Sequence, residues 1–191
     1  MKNPRLRWVI PLLLLSVLVL FIINHLKSRD ISGCPSDFTN STDNAQAFLM
    51  GTIGGDYSDP NRDCWREQVI QPVLDELGVT YYNPVVENWS EENAREEAEA
   101  IANAETIVLV ITESHNSFGS LAESGWAVLS AVQRNQTVIV YIADESDNAD
   151  SLRARQIVLS QMIPLASSID ALIVTESLVE VTDALIDLYH E

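Results

Sequence analysis

The sequence predicts an α/β fold: a doubly wound parallel sheet of five strands flanked by helices. Three observations predict it. First, five apolar runs begin at Ala45, Val79, Thr106, Gln136 and Asp170, most of them rich in β-branched residues and ended by polar or glycine-containing loops. Runs of that kind read as buried parallel strands. Second, a stretch with helical spacing of apolar residues follows each run, so strand and helix alternate five times. Third, the length of 191 residues accommodates one ordinary domain plus an appendage, with a core that needs neither metal nor disulfide.

The appendage is N-terminal. Trp8 to Ile23 is apolar apart from Ser16, close to the lower limit of the roughly 17–25 residues that cross a bilayer. The run is longer than a signal-peptide core of about 7–15 residues, and no A-x-A site follows. A transmembrane anchor over residues 1–27 is expected. Ile31-Ser32-Gly33-Cys34 resembles a bacterial lipobox, but the charged stretch His25 to Asp30 separates it from the apolar core. Residues 28–44 are polar, with Gly, Pro, Ser and Asn, and read as a flexible tether to a domain at 45–191. Lys2, Arg5, Arg7 and the terminal amine outweigh Lys27 and Arg29, which favours a cytoplasmic N-terminus and a domain outside the cytoplasm.

Charge separates the two parts. The whole chain carries −17, but all 28 acidic residues lie at or after residue 30, where the only basic residues are six arginines, so tether and domain together carry −22 from residue 30 onward. Such a domain does not take up a nucleic-acid backbone by charge. It also repels anionic lipid, leaving bilayer contact to the N-terminal helix. Cys34 and Cys64 could pair in an exported domain or remain ordinary thiols. No Cys/His cluster has metal spacing, so no metal and no cofactor is expected.

Taken in order, Ala45–Gly51 is the first strand. The loop Gly51-Thr52-Ile53-Gly54-Gly55 is neither a Walker loop nor a dinucleotide fingerprint. Its glycines let backbone N–H groups approach a ligand; the alternative is a plain flexible loop. Asn61 to Leu77 has an apolar stripe of Trp65, Val69, Val73, Leu74 and Leu77 and reads as a helix. Pro72 predicts a kink or restart within it, and Gly78 ends it. Val79–Tyr82 is the second strand, stopped by Asn83-Pro84, with Trp89 in the loop beyond. Ser90 and Asn93 start a helix that runs to about Ala104. Its Ala94, Glu97, Ala98, Ile101 spacing puts Glu97 on or beside the packing face, while the other glutamates are solvated.

Thr106–Thr112 is the third strand, and Ser117-Phe118-Gly119-Ser120-Leu121-Ala122-Glu123-Ser124-Gly125 follows it into a helix read over Leu121–Val132. Gly119 and Ser120 suit a tight turn and an N-cap. Glu123 is expected in the first turn, where N–H groups and the helix dipole favour its ionised form; the alternative is a simple helix-start carboxylate. Gln136–Ala143 is the fourth strand, Asp144–Asp150 an acidic loop, and Ser151–Ile163 a helix stopped by Pro164. Asp170–Thr175 is the fifth strand. Glu176–Tyr189 closes the chain as a helix with Leu178, Val181, Leu185 and Leu188 inward. A flavodoxin-like order, 2-1-3-4-5, sets the loops after strands 1 and 3 on either side of the switch point, in one pocket.

Several of these residues together resemble a known family. They are Phe48-Leu49-Met50-Gly51, Trp65-Arg66, Asn83-Pro84 with Trp89, Glu97 eight residues before Glu105, and Gly119-Ser120-x-x-Glu123-x-Gly125. In order and spacing they resemble the nucleoside 2-deoxyribosyltransferases, most closely the bacterial deoxyribosyltransferase-like branch, over roughly Ala45 to Ile142. The resemblance implies that Glu123 is the nucleophile and that Glu97 handles the nucleobase or its proton. It implies that Gly51, Thr52, Ile53 and Gly54 line the pocket, with Trp89, Ser117, Gly119 and Ser120 as further substrate contacts. The ligand is then a nucleoside or nucleotide, and self-association of the domain is an open option. Three positions depart from the family's habit: Ser117 where Asp is common, Leu49 where some members have Tyr, and Glu105 where Asp is frequent.

The chemistry suits these residue types independently. Cleaving an N-glycosidic bond builds oxocarbenium-like charge at the anomeric carbon. A carboxylate can attack that carbon and hold a covalent glycosyl-enzyme. The departing base needs a proton, which a second carboxyl with a raised pKa supplies. Two functions are therefore expected in competition. One is a membrane-anchored enzyme that cleaves or transfers the N-glycosidic bond. The other is a tethered binding module that keeps the pocket without turnover.

Overall fold

The computed structural model describes residues 44–53, 63–86 and 88–190. The expected anchor, and the tether up to Asn44, lie outside them. No helix among the described residues is long and apolar enough to cross a membrane.

Five parallel strands form one sheet: β1 (Ala47–Gly51), β2 (Tyr81–Tyr82), β3 (Thr106–Ile111), β4 (Thr137–Ile142) and β5 (Leu172–Thr175). Their order is β2-β1-β3-β4-β5, as the sequence predicts. Every residue of β1 and β3 is buried, because helices cover both faces. On one face Phe48, Met50, Ile107 and Leu109 pack with Ile101 of α2 (Glu91–Asn103), Leu121 and Val128 of α3 (Phe118–Gln133), and Met162 of α4 (Ala149–Ala166). On the other, Ala47, Leu49, Val108 and Val110 pack with Leu74 of α1 (Gln71–Leu77) and with Val181 and Leu185 of α5 (Leu178–Tyr189). Adjacent residues of a strand thus serve opposite layers.

Local chemistry accounts for most boundaries. Asn83 turns its side chain to accept from the Val85 amide at 3.2 Å, and Pro84 has no N–H to offer, so β2 has only two residues. Pro72 causes the expected restart. A π-helical turn spans Arg66–Ile70, closed by the Gln71 amide on the Arg66 carbonyl, and Pro72 then stands at the head of α1, where a missing N–H is harmless. Gly78 caps α1 in the left-handed region at φ 69°. Ser90 and Asn93 form a reciprocal capping box on α2.

Four expectations need correction. Helix α3 begins at Phe118, so Gly119 and Ser120 lie inside its first turn and are neither turn nor cap. Pro164 lies within α4 and does not stop it. The carbonyl that the proline leaves unbonded belongs to Ser160, which is exposed, so water can take it. Leu188 and Ala98 face solvent and do not pack inward.

Candidate active site at the β1–β3 switch point

The site is built on the carboxyl ends of β1 and β3. Gly51 ends β1 at φ 134°, and a Cβ there would stand 1.8 Å from the Val110 carbonyl oxygen. Only glycine permits that approach. The buried Arg66 secures the same strand end. It donates to the carbonyls of Leu49 (3.1 Å), Thr52 (2.7 Å) and Gly51 (3.2 Å), and its guanidinium lies 4.1 Å from the Trp65 ring centre. The Trp65 indole N–H also donates to Thr52 O at 3.0 Å. The π-helical turn therefore works as a clasp on the loop after β1.

A directed hydrogen-bond relay joins the two loops. The Thr112 amide donates to Thr52 Oγ1 at 3.1 Å. Thr52 Oγ1 and Ser117 Oγ are 2.9 Å apart, and Ser117 Oγ donates to the His115 carbonyl at 3.3 Å. An amide at one end and a carbonyl at the other fix the direction, so Thr52 donates to Ser117. Both hydroxyl protons are committed. Ser117 precedes α3 in the left-handed region, φ 51°, and makes no side-chain cap. Its expected role as a substrate contact is thus overlaid by a positional one.

A second helix layer supports this loop. Arg155 of α4 is fully buried. It donates to the carbonyls of His115 (2.5 Å) and Ala143 (3.2 Å) and to Ser151 Oγ (3.2 Å). Ser151 donates in turn to Asn116 O at 2.7 Å. Sequence reading missed Arg155, Ser151 and the pairing of Asp63 with Ser114, whose hydroxyl donates to Asp63 Oδ2 at 2.7 Å. Ser151, Arg155 and Met162 share one face of α4 at helical spacing, which is the signal that could have found the first two.

Glu97 on α2 and Glu123 on α3 lie on helices that cover the same face of the sheet. Both are half-buried. Burial raises the pKa of each. At Glu97 the nearby charge of Glu123 raises it further, against a smaller lowering by Arg66. The two carboxyls are thus near enough for the charge of one to disfavour the charge of the other. Burial also corrects the expectation for Glu123. That residue stands in the second turn of α3, beyond the strongest part of the dipole, and its ionised form is disfavoured.

Burial of these acids has a stability consequence. A carboxyl with a raised folded-state pKa favours folding below the unfolded value of 4.5. It withdraws that stability as pH rises through the raised value. Glu97→Gln should therefore melt above wild type near neutral pH, with the difference vanishing below pH 4.5. A variant that melts several degrees lower at neutral pH would show that Arg66 dominates Glu97 instead.

The remaining predicted site residues are spread out. Gly51 and Thr52 are buried, Ile53 is 53% exposed and Trp89 is 68% exposed. Gly54 lies outside the described residues. Gly119 is exposed and Ser120 half-buried at the start of α3. Two cavities lie elsewhere, one lined by Asp144 and Glu176 beyond β4 and β5, the other by Asn44 and Glu99 near the start of β1. Among the described residues no group of His, Cys, Asp or Glu could hold a metal ion. Cys64, beside Asp63, is disulfide-bonded; the chain's other cysteine is Cys34, outside the described residues.

The family model for "nucleoside 2-deoxyribosyltransferase like" proteins matches residues 44–146, more than half of the chain. The chain belongs to this family. No curated protein and no solved structure matches it. The match to the deoxyribosyltransferase-like family spans Gly51, Arg66, Glu97, Ser117 and Glu123 and stops before Arg155. Gly125, in the motif that carries the resemblance, has open space where a Cβ would stand. Packing of the described chain does not require that glycine. Gly125→Ala should stabilise the domain by about 0.5–1 kcal/mol, read from urea unfolding. Destabilisation would mean that something covers that face of α3.

Proposed function

We propose that the domain breaks the N-glycosidic bond of a nucleoside or nucleotide through a covalent intermediate on Glu123. A Glu123 oxygen bonds to the anomeric carbon as the bond to the base breaks. The bond pair leaves with the base, which takes a proton from Glu97. A second base, or water, then attacks the anomeric carbon and releases Glu123, and Glu97 takes the proton back. The observation that carries this reading is the placement of two half-buried acids, Glu97 and Glu123, on helices that cover the same face of the sheet in a chain of this family. An ionised Glu123 keeps Glu97 protonated to higher pH, which is what a nucleophile and a general acid require of each other.

The test is to incubate the full-length protein with a 2′-deoxynucleoside and a different free base, and to follow both by chromatography. Exchange or release of base is expected. Glu97→Gln should lower that rate by about 10²–10⁴-fold, and least for bases that leave without a proton. Binding without either product would favour the second reading, a binding module. That reading draws on Ser117, whose hydroxyl is already committed to the relay where the family often carries Asp.

We further infer that the domain is membrane-anchored and lies outside the cytoplasm. The apolar N-terminal stretch and its flanking charges support the anchor. A disulfide at Cys64 suits an oxidising compartment. Labelling of an engineered exposed cysteine in intact cells tests the orientation; labelling only after lysis would refute it.

A further inference from the structure

A cavity of about 630 Å³ lies at the carboxyl ends of β4 and β5, against α4. That volume falls within the roughly 300–1,000 Å³ of small-molecule sites. Among the described residues, neither Glu97, Glu123 nor the loop after β1 lines it. Leu159, Ile163 and Ala166 form one wall. Their i, i+4, i+7 spacing puts them on one face of α4. Ile142 and Val174 line it from the strand ends. Ile163 is 57% exposed, so the fold leaves apolar surface here that a ligand could take out of water.

The polar part of the lining is acidic. Asp144 stands two residues beyond β4, and Glu176 is the first residue after β5. Both are exposed, and no basic residue among those described lines the cavity. Three donors around it are already spent inside the fold. The Thr175 hydroxyl donates to the Val140 carbonyl at 3.1 Å, and the Ala143 amide to the Ile111 carbonyl at 2.7 Å. The Glu176 amide donates to the Glu180 carboxylate at 2.7 Å. Two carboxylates offer about eight acceptor positions between them, so a polar group entering here meets acceptors. The surrounding charge has the same sign. Burial raises the pKa of Tyr141 at the end of β4, and Glu113, Asp144 and Glu145 raise it further. Arg155 opposes them from a fully buried position, with its donors held by Ser151, Ala143 and His115.

We propose that this cavity is a second small-molecule site and that it takes an organic cation, a compact apolar body carrying a protonated amine. The apolar body fills the space between α4 and the strand ends. The ammonium group donates to Asp144 and Glu176, whose charge it complements. An anion of the same shape meets two like charges instead. The assignment is independent of the nucleoside reading, since the two sites share no named residue.

The experiment measures binding of 1-adamantylammonium, 1-adamantanol and 1-adamantanecarboxylate to the full-length protein by calorimetry, with methylammonium as a cation that lacks the apolar body. The ammonium should bind about tenfold or more tighter than the alcohol. The carboxylate should bind more weakly than the alcohol, and methylammonium should give no measurable heat. Asp144→Asn with Glu176→Gln should bring ammonium and alcohol close to parity. Ile163→Ser should weaken both by about fivefold and keep their ratio. All three positions are exposed, so the variants should fold as wild type does. The proposal is overturned if the carboxylate or methylammonium binds as tightly as the adamantyl ammonium, if the double substitution leaves the ratio unchanged, or if none of the three adamantanes binds. Base release unaffected by any of these results leaves the nucleoside reading standing.

Discussion

Glu123→Gln should abolish base release while leaving nucleoside binding nearly intact. The amide keeps the shape of the acid but cannot attack the anomeric carbon, so the covalent route closes. A fall in kcat on the order of 10³-fold or more is expected, with little change in Kd. The substitution has a second readout that needs no turnover. Glu123 is one cause of the raised pKa of Glu97, so removing its charge should lower the Glu97 titration, followed by NMR of the side-chain carboxyl. A variant within tenfold of wild-type activity would remove Glu123 from the chemistry. An unmoved Glu97 titration would show that the two acids do not share a site, whatever the activity. The variant should also be at least as stable as wild type near neutral pH, since it no longer buries a charge whose ionised form the site disfavours.

Gly51→Ala should prevent the domain from folding. The new methyl would stand 1.8 Å from Val110 O, 2.7 Å from Val110 C and 2.9 Å from Val110 N. All three are backbone atoms of β3, paired with β1 on one side and β4 on the other. They cannot yield without breaking the centre of the sheet. The backbone at φ 134° adds its own cost for any residue with a side chain. The Thr52 amide bonds Val110 O at 2.9 Å, so displacing Gly51 also loosens the loop that Arg66 clasps. A loss above about 4 kcal/mol is expected, against a typical domain stability of about 5–15 kcal/mol. The check is expression in soluble form and a thermal melt by circular dichroism. A soluble variant melting within a few degrees of wild type would mean that β1 can shift in register, and the close approach would lose its importance.

These two positions show the division of labour at the switch point. Gly51 and Arg66 make the strand end rigid. Arg155 and Ser151 hold the carbonyls of the loop that leads into α3. The family match covers the first pair and ends at residue 146, short of the second. The candidate site is thus braced in this chain by a helix beyond the matched stretch. The two acids stand above this frame, where burial works against their charge.

The sequence by itself determined the architecture. Five apolar runs alternating with amphipathic stretches dictated five parallel strands, because hydrophobic period and crossover handedness leave few alternatives. It also marked Gly51, Glu97 and Glu123, through glycine at a strand end and acids at helix spacing. Pro72 and Ser90 were legible for the same reason: their effects act within one turn of chain. Only the tertiary structure decided what depends on distant partners. The commitment of Ser117 is set by Thr52, 65 residues away in sequence. The burial of Arg155 is set by carbonyls such as His115 O, 40 residues away. Asp63 meets Ser114 across 51 residues. The pKa of Glu123 was misread from sequence because helix position is a local property, whereas desolvation is imposed by everything that packs around the group. Local chemistry writes the elements; which side chains remain free to meet a ligand is decided where the elements converge.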